Sequence, residues 1–384
     1  MKPLEAEVIE LLSHSPVRVV FGPGCLDRLG EFARDEGARH VLLVTDPGIV
    51  RAGHVERALR SLDGCGLKVA VFDGARENPT TEHVTAGLHV AKVAPMDLII
   101  GLGGGSAMDC AKGINLLLTN GGEIADYWGE GRTRERLLPM IAVPTTAGTG
   151  SEGQSFALIS DATTHQKMAC GDRRPPEDGG LRPRVALLDP QLSVSQPLAV
   201  TAAAGYDAIA HAVETAGTTR RSAFSSAFSQ AAWERLSRAY ERVLRSGADL
   251  QARADMLLGA HLAGVSIELS MLGAAHACAN PLTARYGITH GIAVAVFLPH
   301  VVRFNTQGGW NPYHGLDADA DRLVRRLEEL RAAGGQPADL RTCGIPADAL
   351  EELATLAADQ WTARFNPRPV RPSELLHIYR AAYS

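Results

Sequence analysis

One carboxylate and three imidazoles of this chain could together bind a metal ion. Asp207 and His211 lie in the small-residue run GYDAIAHAVE (205–214), and their i, i+4 spacing places both side chains on one face of a predicted helix. His276 and His290 lie 14 residues apart in two further stretches of small and apolar residues, where an unpaired polar group would be costly. Three imidazoles and one carboxylate suit a divalent first-row metal. The chain has 13 histidines, so each of these three could equally be an ordinary core or surface histidine.

A glycine-rich turn could bind a phosphate group. It consists of Gly103, Gly104, Gly105 and Ser106. These residues follow the apolar run DLIIGL (97–102) and precede a predicted helix that carries Asp109 one turn along. Glycines allow close approach of a pyrophosphate, and a helix N-terminus offers unpaired N–H groups. The turn does not match the GxGxxG pattern, because Met108 stands at the third glycine position. A turn that merely requires glycine is the competing interpretation.

Two more polar segments follow predicted strands. Asp46 ends the second strand, where its carboxylate could accept hydrogen bonds from both hydroxyls of an adenosine ribose. A carboxylate at this position would repel a 2′-phosphate, so Asp46 favours NAD over NADP. The competing interpretation is that an aspartate before Pro47 simply forms a turn. The segment PTTAGTGSE (144–152) supplies the hydroxyls of Thr145, Thr146 and Thr149, either for diphosphate and ribose contacts or as an ordinary turn.

The first half of the chain alternates apolar runs with amphipathic segments. The runs at 17–22, 40–46, 67–73 and 97–105 predict buried strands, and 140–146, 156–160 and 185–190 extend this region. Such alternation predicts a parallel sheet with helices on both faces. The polar stretch 171–184 is interpreted as a surface loop.

The second half is rich in Ala, Leu, Glu and Arg at helical spacing. Trp233–Leu244 and Ala320–Ala333 are clear amphipathic examples. The sequence therefore predicts a dinucleotide-binding α/β domain over residues 1–191. An all-α metal-binding and catalytic domain is predicted over 192–384.

Composition excludes several classes of protein. The formal charge is −5, from 38 basic and 43 acidic residues, so no basic excess exists to bind nucleic acid. No apolar run approaches the 18 residues typical of a membrane span. The six cysteines form no CxxC pair or tight framework, which favours a cytoplasmic protein.

Five segments resemble the iron-containing (group III) alcohol dehydrogenase family, in the same order and along nearly the whole chain. They are GGGSAMDCAK (103–112), PTTAGTGSE (144–152), GYDAIAHAVE (205–214), the stretch from His276 through HGIAVAVFLPHVVRFN (290–305), and NPRP (366–369). The resemblance implies the dehydroquinate-synthase-like architecture of that family. It also implies that Fe²⁺ or Zn²⁺ is bound by Asp207, His211, His276 and His290.

The same resemblance implies a cofactor and a reaction. NAD, with NADP as the alternative, would bind across Asp46, the turn at 103–106, Asp109, Thr145, Thr146 and Thr149, and Lys167 would lie near the nicotinamide ribose. The implied reaction is hydride transfer between an alcohol or aldehyde and NAD(H), with the substrate oxygen on the metal in the cleft between the domains. The substrate would be a small molecule, and the enzyme a homodimer or larger homo-oligomer.

Three departures from the family pattern stand out. Asn280 occupies the position of a histidine that the family uses beside the nicotinamide. An amide cannot titrate near neutral pH, but it offers a hydrogen-bond donor and an acceptor to a polar substrate. The competing interpretation is that Asn280 only shapes a turn before Pro281. The loop 171–184 is longer than in the family. Where the family has a hydrophobic wall at the substrate site, this chain has Ser266-Ile267-Glu268, and we expect Glu268 to be a polar group facing the cleft.

Other interpretations stay open at this stage. A glycerol-dehydrogenase-like or dehydroquinate-synthase-like enzyme would share the architecture, with fewer of these ligands expected. A maleylacetate-reductase-like relative would need no metal. The absence of the histidine at Asn280 also allows a catalytically silent protein that binds NAD or a metal for regulation.

Overall fold

The chain divides into two compact units. The computed structural model describes residues 3–164 and 166–383. Unit 1 comprises residues 1–146 and 150–196, and unit 2 comprises residues 147–149 and 197–384. The domain boundary predicted after residue 191 lies within the 3₁₀ segment Pro190–Ser195, which belongs to unit 1.

Unit 1 is built on a six-stranded parallel sheet in the order β1-β9-β6-β4-β2-β3. The strands of the unit are β1 (Arg18–Phe21), β2 (His40–Val44), β3 (Lys68–Phe72), β4 (Leu98–Gly103), β5 (Gly129–Glu130), β6 (Met140–Pro144), β7 (Phe156–Ser160), β8 (Lys167–Gly171) and β9 (Val185–Leu188). Every residue of β4 is buried, as expected for a central strand covered on both faces. The predicted parallel α/β domain is confirmed.

Helices cover both faces of this sheet. They are α1 (Ala6–Ser13), α2 (Leu29–Asp35), α3 (Pro47–Arg51), α4 (His54–Asp63), α5 (Thr81–Ala91) and α6 (Gly105–Asn120). Leu42 of β2 packs in one apolar cluster with α5 and α6, whereas its neighbour Leu43 packs in another with α2 and α4. Successive strand residues point to opposite faces, so the unbroken apolar run of β2 serves both clusters.

The strand order changes direction between β2 and β4. From β2 the chain moves outward to β3 at the sheet edge and then returns to place β4 on the other side of β2. At such a switch point the connections leave on opposite faces, and a crevice forms at the carboxyl ends of the two strands. Asp46 follows β2, and the glycine-rich turn follows β4.

The run at 156–160 does not join the main sheet. It forms β7, which pairs antiparallel with β8 in a separate three-stranded sheet that includes β5. Only residues 161–166 connect β7 to β8. A connection this short permits a hairpin but not the crossover that a parallel pair requires.

The interpretation of 171–184 as a surface loop is wrong for much of its length. Asp172 is 1% exposed and Leu181 is also buried. The guanidinium of Arg174 donates hydrogen bonds to both carboxylate oxygens of Asp172, at 2.6–3.1 Å, and the hydroxyl of Thr133 also donates to this carboxylate. The polar composition therefore reflects a loop folded around a buried carboxylate.

Within the described part of unit 2 every regular element is a helix, which confirms the predicted all-α region. Its helices are α7 (Leu198–Gly217), α8 (Ala223–Arg245), α9 (Leu250–Leu269), α10 (Ala274–Tyr286), α11 (His290–Thr306), α12 (Ala320–Ala333), α13 (Leu350–Ala358) and α14 (Pro372–Ala381). The predicted helix 233–244 lies within α8, and α12 has the predicted bounds. Sixteen of the 20 residues of α7 are buried, which explains its many alanines.

Two further observations concern the whole described chain. All six cysteines are free thiols. Over residues 3–164 and 166–383, no single helix is both long enough and apolar enough to span a membrane. The helices α9 and α10 meet these two criteria only when they are taken together, and the pair is bent by 104°.

Candidate functional site

The four predicted metal ligands lie together in unit 2. Asp207 and His211 lie on α7, His276 lies on α10, and His290 is the first residue of α11. Oδ1 of Asp207 is 3.5 Å from Nε2 of His211, 3.4 Å from Nε2 of His276 and 3.8 Å from Nε2 of His290. Three imidazole nitrogens thus converge on one carboxylate oxygen. Asp207, His211 and His276 are each no more than 5% exposed.

This cluster fits a divalent cation. The candidate ligand atoms of Asp207, His276 and His290 all lie within 4.8 Å of one another. Nitrogen and oxygen atoms that share a cation at about 2.0–2.2 Å lie roughly 3–4 Å apart. Oδ1 of Asp207 and Nε2 of His276 are buried and form no hydrogen bond with any described residue. A cation would satisfy both buried atoms, whose burial is otherwise costly.

Charge within the cluster favours the ionised carboxylate. Burial opposes the charge on Asp207, but the imidazoles, His211 foremost, outweigh it and hold the pKa of this carboxyl well below its usual range. Burial dominates at His211 and lowers its pKa. At His276 burial is outweighed by the carboxylates of Glu214 and Asp207, which raise the pKa to about 9. The site therefore attracts a positive charge, whether a proton or a metal ion.

Glu214 orients one of the imidazoles. Its Oε2 lies in a very short hydrogen bond with Nδ1 of His276, and its Oε1 accepts a hydrogen bond from the backbone N–H of Ala275 at 2.7 Å. Because Nδ1 faces Glu214, Nε2 of His276 faces Asp207. The sequence analysis missed this residue, although its spacing from Asp207 and His211, seven and three residues, places all three on one face of α7.

The NPRP segment secures the start of α10. Oδ1 of Asn366 accepts hydrogen bonds from the backbone N–H of Ala274, at 3.3 Å, and from Nδ2 of Asn305 on α11, at 3.0 Å. The first turn of α10 has no cap from its own N-cap residue, Gly273. Glu214 and Asn366 thus supply the acceptors that its free N–H groups require.

Asn280 lies inside α10, one turn after His276. The interpretation in which it shapes a turn before Pro281 is therefore wrong, since the helix continues through Pro281. Nδ2 of Asn280 donates a hydrogen bond to Oε1 of Gln360, at 3.0 Å.

The glycine-rich turn has the geometry of an anion-binding helix start. Gly103 ends β4 with φ of 152°, and a Cβ there would lie 2.8 Å from the Cβ of Ala107. Gly104 is the N-cap of the 16-residue helix α6 and provides no side-chain cap. Gly104 and Ser106 are partly exposed between buried neighbours, and the first N–H groups of a helix have no acceptor within the helix, which is the arrangement that binds anions.

Asp46 lies beside this turn. Oδ1 of Asp46 caps α3, accepting from the N–H groups of Gly48 and Ile49 at 2.8 and 3.2 Å. A Cβ on Gly103 would lie 3.3 Å from the other carboxylate oxygen of Asp46. Asp46 therefore forms a turn and also borders the glycine-rich turn.

The segment after β6 approaches the same turn from the other side. The backbone N–H of Thr145 donates to the carbonyl of Gly103 at 2.9 Å, and a Cβ on Gly104 would lie 3.3 Å from Oγ1 of Thr146. Thr145 is 2% exposed, whereas Thr146 is partly exposed. Thr149 is exposed and is grouped with unit 2.

Asp109 and Lys112 hold this second segment in place. Nζ of Lys112, which is fully buried, donates to the carbonyl and hydroxyl of Ser151 at 2.7 and 2.8 Å, and to the carbonyls of Gln154 and Phe156 at 2.9 Å. Asp109 accepts a 2.7 Å hydrogen bond from the hydroxyl of Ser151, and burial raises its pKa. Asp109 thus helps to position Ser151 in the segment after β6.

The remaining predicted residues are Lys167, Ser266 and Glu268. Lys167 begins β8, and its Nζ is 3.3 Å from Oδ1 of Asn78. Ser266 and Glu268 are buried in α9, and the hydroxyl of Ser266 bonds to Ser229 and to the carbonyl of Ser225, both on α8. Ser266 therefore joins two helices.

Comparison with known proteins identifies two family models in this chain. The model described as "Iron-containing alcohol dehydrogenase" matches residues 16–190. The model described as "Fe-containing alcohol dehydrogenase family, C-terminal" matches residues 201–383.

Similar proteins span nearly the whole chain. The Long-chain-alcohol dehydrogenase 1 of Geobacillus thermodenitrificans is 35% identical, over 96% of this chain and 98% of that protein. A solved structure of 1,3-propanediol oxidoreductase has a TM-score of 0.89 at 32% identity, over 96% of this chain and 98% of that one. The sulfoacetaldehyde reductase of Bifidobacterium kashiwanohense, solved with NAD⁺, has a TM-score of 0.86 at 26% identity, over the same shares of the two chains.

Proposed function

Because the chain belongs to the iron-containing alcohol dehydrogenase family, we infer that it is an NAD-dependent oxidoreductase that interconverts alcohols and aldehydes. Family membership confirms the resemblance seen in the motifs. We propose that a divalent metal is bound by Asp207, His211, His276 and His290. The observation that carries this proposal is the buried pair of atoms without hydrogen bonds, Oδ1 of Asp207 and Nε2 of His276. NAD as cofactor is supported by the likeness to the reductase solved with NAD⁺.

The residues of unit 2 prepare the substrate oxygen. A divalent cation held by these residues would act as a Lewis acid that lowers the pKa of the alcohol hydroxyl, and NAD would supply the acceptor for the hydride. Asp207 contributes its ionised carboxylate. Glu214 holds Nδ1 of His276 so that Nε2 stays directed at Asp207. The amide of Asn280 cannot titrate near neutral pH, so a group other than Asn280 must accept the released proton.

The loops that follow β4 and β6 bind the nucleotide in this proposal. The N-terminus of α6, with Gly103, Gly104, Gly105 and Ser106, holds the diphosphate. The hydroxyls of Thr145, Thr146 and Thr149 add contacts to the diphosphate and ribose. Asp109 contributes by anchoring Ser151, and Lys167 lies near the nicotinamide ribose.

Three finer points complete the proposal. The donor set accepts Fe²⁺ and Zn²⁺ alike, and zinc binds such ligands more tightly, so metal supply decides which ion is present. The intact ligand cluster speaks against a metal-free reductase. A cytoplasmic location and a homodimer or larger assembly stay predictions.

Activity and metal content together test this function. Protein purified without oxygen is analysed for iron and zinc and then assayed for NADH oxidation with a panel of aldehydes and oxo-acids. We expect about one divalent ion in each chain and turnover of aldehydes that chelation removes and Fe²⁺ or Zn²⁺ restores. Protein that binds NADH and metal but turns over no substrate would instead be a silent binding protein.

Asp46 is expected to set the preference for NAD(H). The wild type should have a higher kcat/KM with NADH than with NADPH, because the carboxylate repels a 2′-phosphate. Asp46→Asn removes the charge and keeps the cap of α3, since asparagine caps as well as aspartate does. We expect the NADH-to-NADPH ratio of kcat/KM to fall about tenfold in Asp46→Asn and in Asp46→Gly. A wild-type preference for NADPH would refute this role.

A further inference from the structure

Neighbouring groups fix the orientation of the side-chain amide of Asn280. Nε2 of Gln360 lies 3.3 Å from the backbone carbonyl of Leu356, and a carbonyl can only accept a hydrogen bond. Oε1 of Gln360 therefore faces Asn280. Since Oε1 also only accepts, Asn280 must present its Nδ2, which donates at 3.0 Å. This chain of two hydrogen bonds leaves Oδ1 of Asn280 as the free polar atom.

Asn280 lies on the face of α10 that borders the ligand cluster. His276, Asn280 and Thr283 are spaced by four and three residues, so they share one face of the helix. Both flanking members approach His290: the rings of His276 and His290 are 5.3 Å apart, and Oγ1 of Thr283 is 3.4 Å from Nδ1 of His290. Asn280 stands about 6 Å along the helix axis from His276.

Oδ1 of Asn280 is an acceptor without a protein donor. It receives no hydrogen bond from residues 3–164 or 166–383, and Asn280 and Gln360 are both partly exposed. The sequence suggested that this amide could offer a substrate both a donor and an acceptor. In the structure its donor is occupied by Gln360, and only the acceptor remains.

We propose that Asn280 and Gln360 select substrates that carry a second hydroxyl group, as diols and hydroxyaldehydes do. The hydroxyl donates to Oδ1 of Asn280 while the reacting oxygen lies at the cluster of Asp207 and the histidines. Gln360 is a positioning residue, because it acts only by holding Nδ2 of Asn280. This inference rests on the proposed alcohol dehydrogenase function.

The same geometry disfavours two other substrate types. A carboxylate carries only acceptors, so it would face Oδ1 of Asn280 with like partial charge. An ammonium group could donate to Oδ1, but the cation proposed at the ligand cluster, a short distance along α10, would repel it. A neutral hydroxyl has neither disadvantage.

Three substrates of similar length test the inference on the metal-loaded enzyme. They are 1,3-propanediol, 1-butanol and 3-hydroxypropanoate, which place a hydroxyl, a methyl or a carboxylate at the far end. We expect the kcat/KM ratio of diol to butanol to fall about tenfold in Asn280→Leu, mainly through KM for the diol, as for the loss of one hydrogen bond.

Variants of Gln360 separate polarity from packing. Gln360→Glu still accepts from Nδ2 of Asn280 and should keep the diol preference. Gln360→Met has a similar shape but no acceptor, so the freed amide can turn its Nδ2 outward. We expect its diol preference to fall and its relative activity on 3-hydroxypropanoate to rise several-fold, which loss of packing alone would not produce. Gln251→Met, on the first turn of α9, is the matched control.

The outcomes distinguish this inference from the function on which it rests. If the wild type oxidises none of the three alcohols with any metal, the proposed function fails. If alcohols are oxidised but the ratios of kcat/KM between the three substrates are the same in the wild type, Asn280→Leu and Gln360→Met, the proposed function stands and this inference is overturned. Should Gln360→Met not fold, the comparison of Asn280→Leu with Gln360→Glu decides in the same way.

Discussion

Replacing His276 or His290 by alanine will abolish metal binding and metal-dependent turnover, while the affinity for NAD⁺ changes little. Each imidazole is one of the three that face Oδ1 of Asp207 within residues 3–164 and 166–383, at 3.4 and 3.8 Å for His276 and His290. Loss of a ligand should lower the metal affinity by more than the 10–100-fold typical of losing a residue that merely orients one. The residues proposed for the diphosphate belong to the loops after β4 and β6, which these substitutions leave intact.

The measurements are the metal content of each variant and calorimetric titration with NAD⁺. His300→Ala is the matched control, because His300 lies on α11 like His290 but its pKa is governed by burial and by Arg303 and Arg331, not by the ligand cluster. Metal content in this control should equal that of the wild type. A strong loss of NAD⁺ affinity in His276→Ala or His290→Ala would show that the two sites are not separate.

Substituting Glu214 by glutamine will weaken metal binding about 10–100-fold and change its pH dependence. Glu214 and Asp207 raise the pKa of His276 to about 9, so a metal must displace a proton from His276 below that pH. The apparent metal affinity of the wild type should therefore rise with pH up to about 9. In Glu214→Gln the proton is held less tightly, and the affinity should level off at a lower pH.

Metal affinity measured from pH 6 to about 9.5 tests this role. The upper end of that range brackets the wild-type pKa of His276 at about 9. Glu241→Gln makes the same change at a carboxylate of α8 that pairs with Arg326, and it should leave both affinity and pH profile unaltered. If the role of Glu214 is purely structural, Glu214→Gln will be less stable than the wild type. Its metal affinity will then level off at the same pH as that of the wild type. That result would contradict the assignment of Glu214 as the residue that orients His276.

Short-range patterns in the sequence were enough to predict much of this protein. The strands of the main sheet and the helix that starts at the glycine-rich turn depend on local periodicity and on glycine, which act over a few residues. The pairing of Asp207 with His211 follows from helix geometry alone, because i and i+4 side chains share a face. The candidate ligands and the family were therefore accessible from sequence, and the structure places those ligands together.

Other features depend on residues that are distant in the chain, and only the tertiary structure decided them. Glu214 meets His276 from 62 residues away, and Gln360 meets Asn280 from 80 residues away. The sequence shows that Asn280 is an amide but not which of its two polar atoms is free. That choice depends on where a backbone carbonyl of α13 lies once the helices have packed. Hydrogen-bond direction and burial of this kind arise from packing between elements, so no local pattern of residues encodes them.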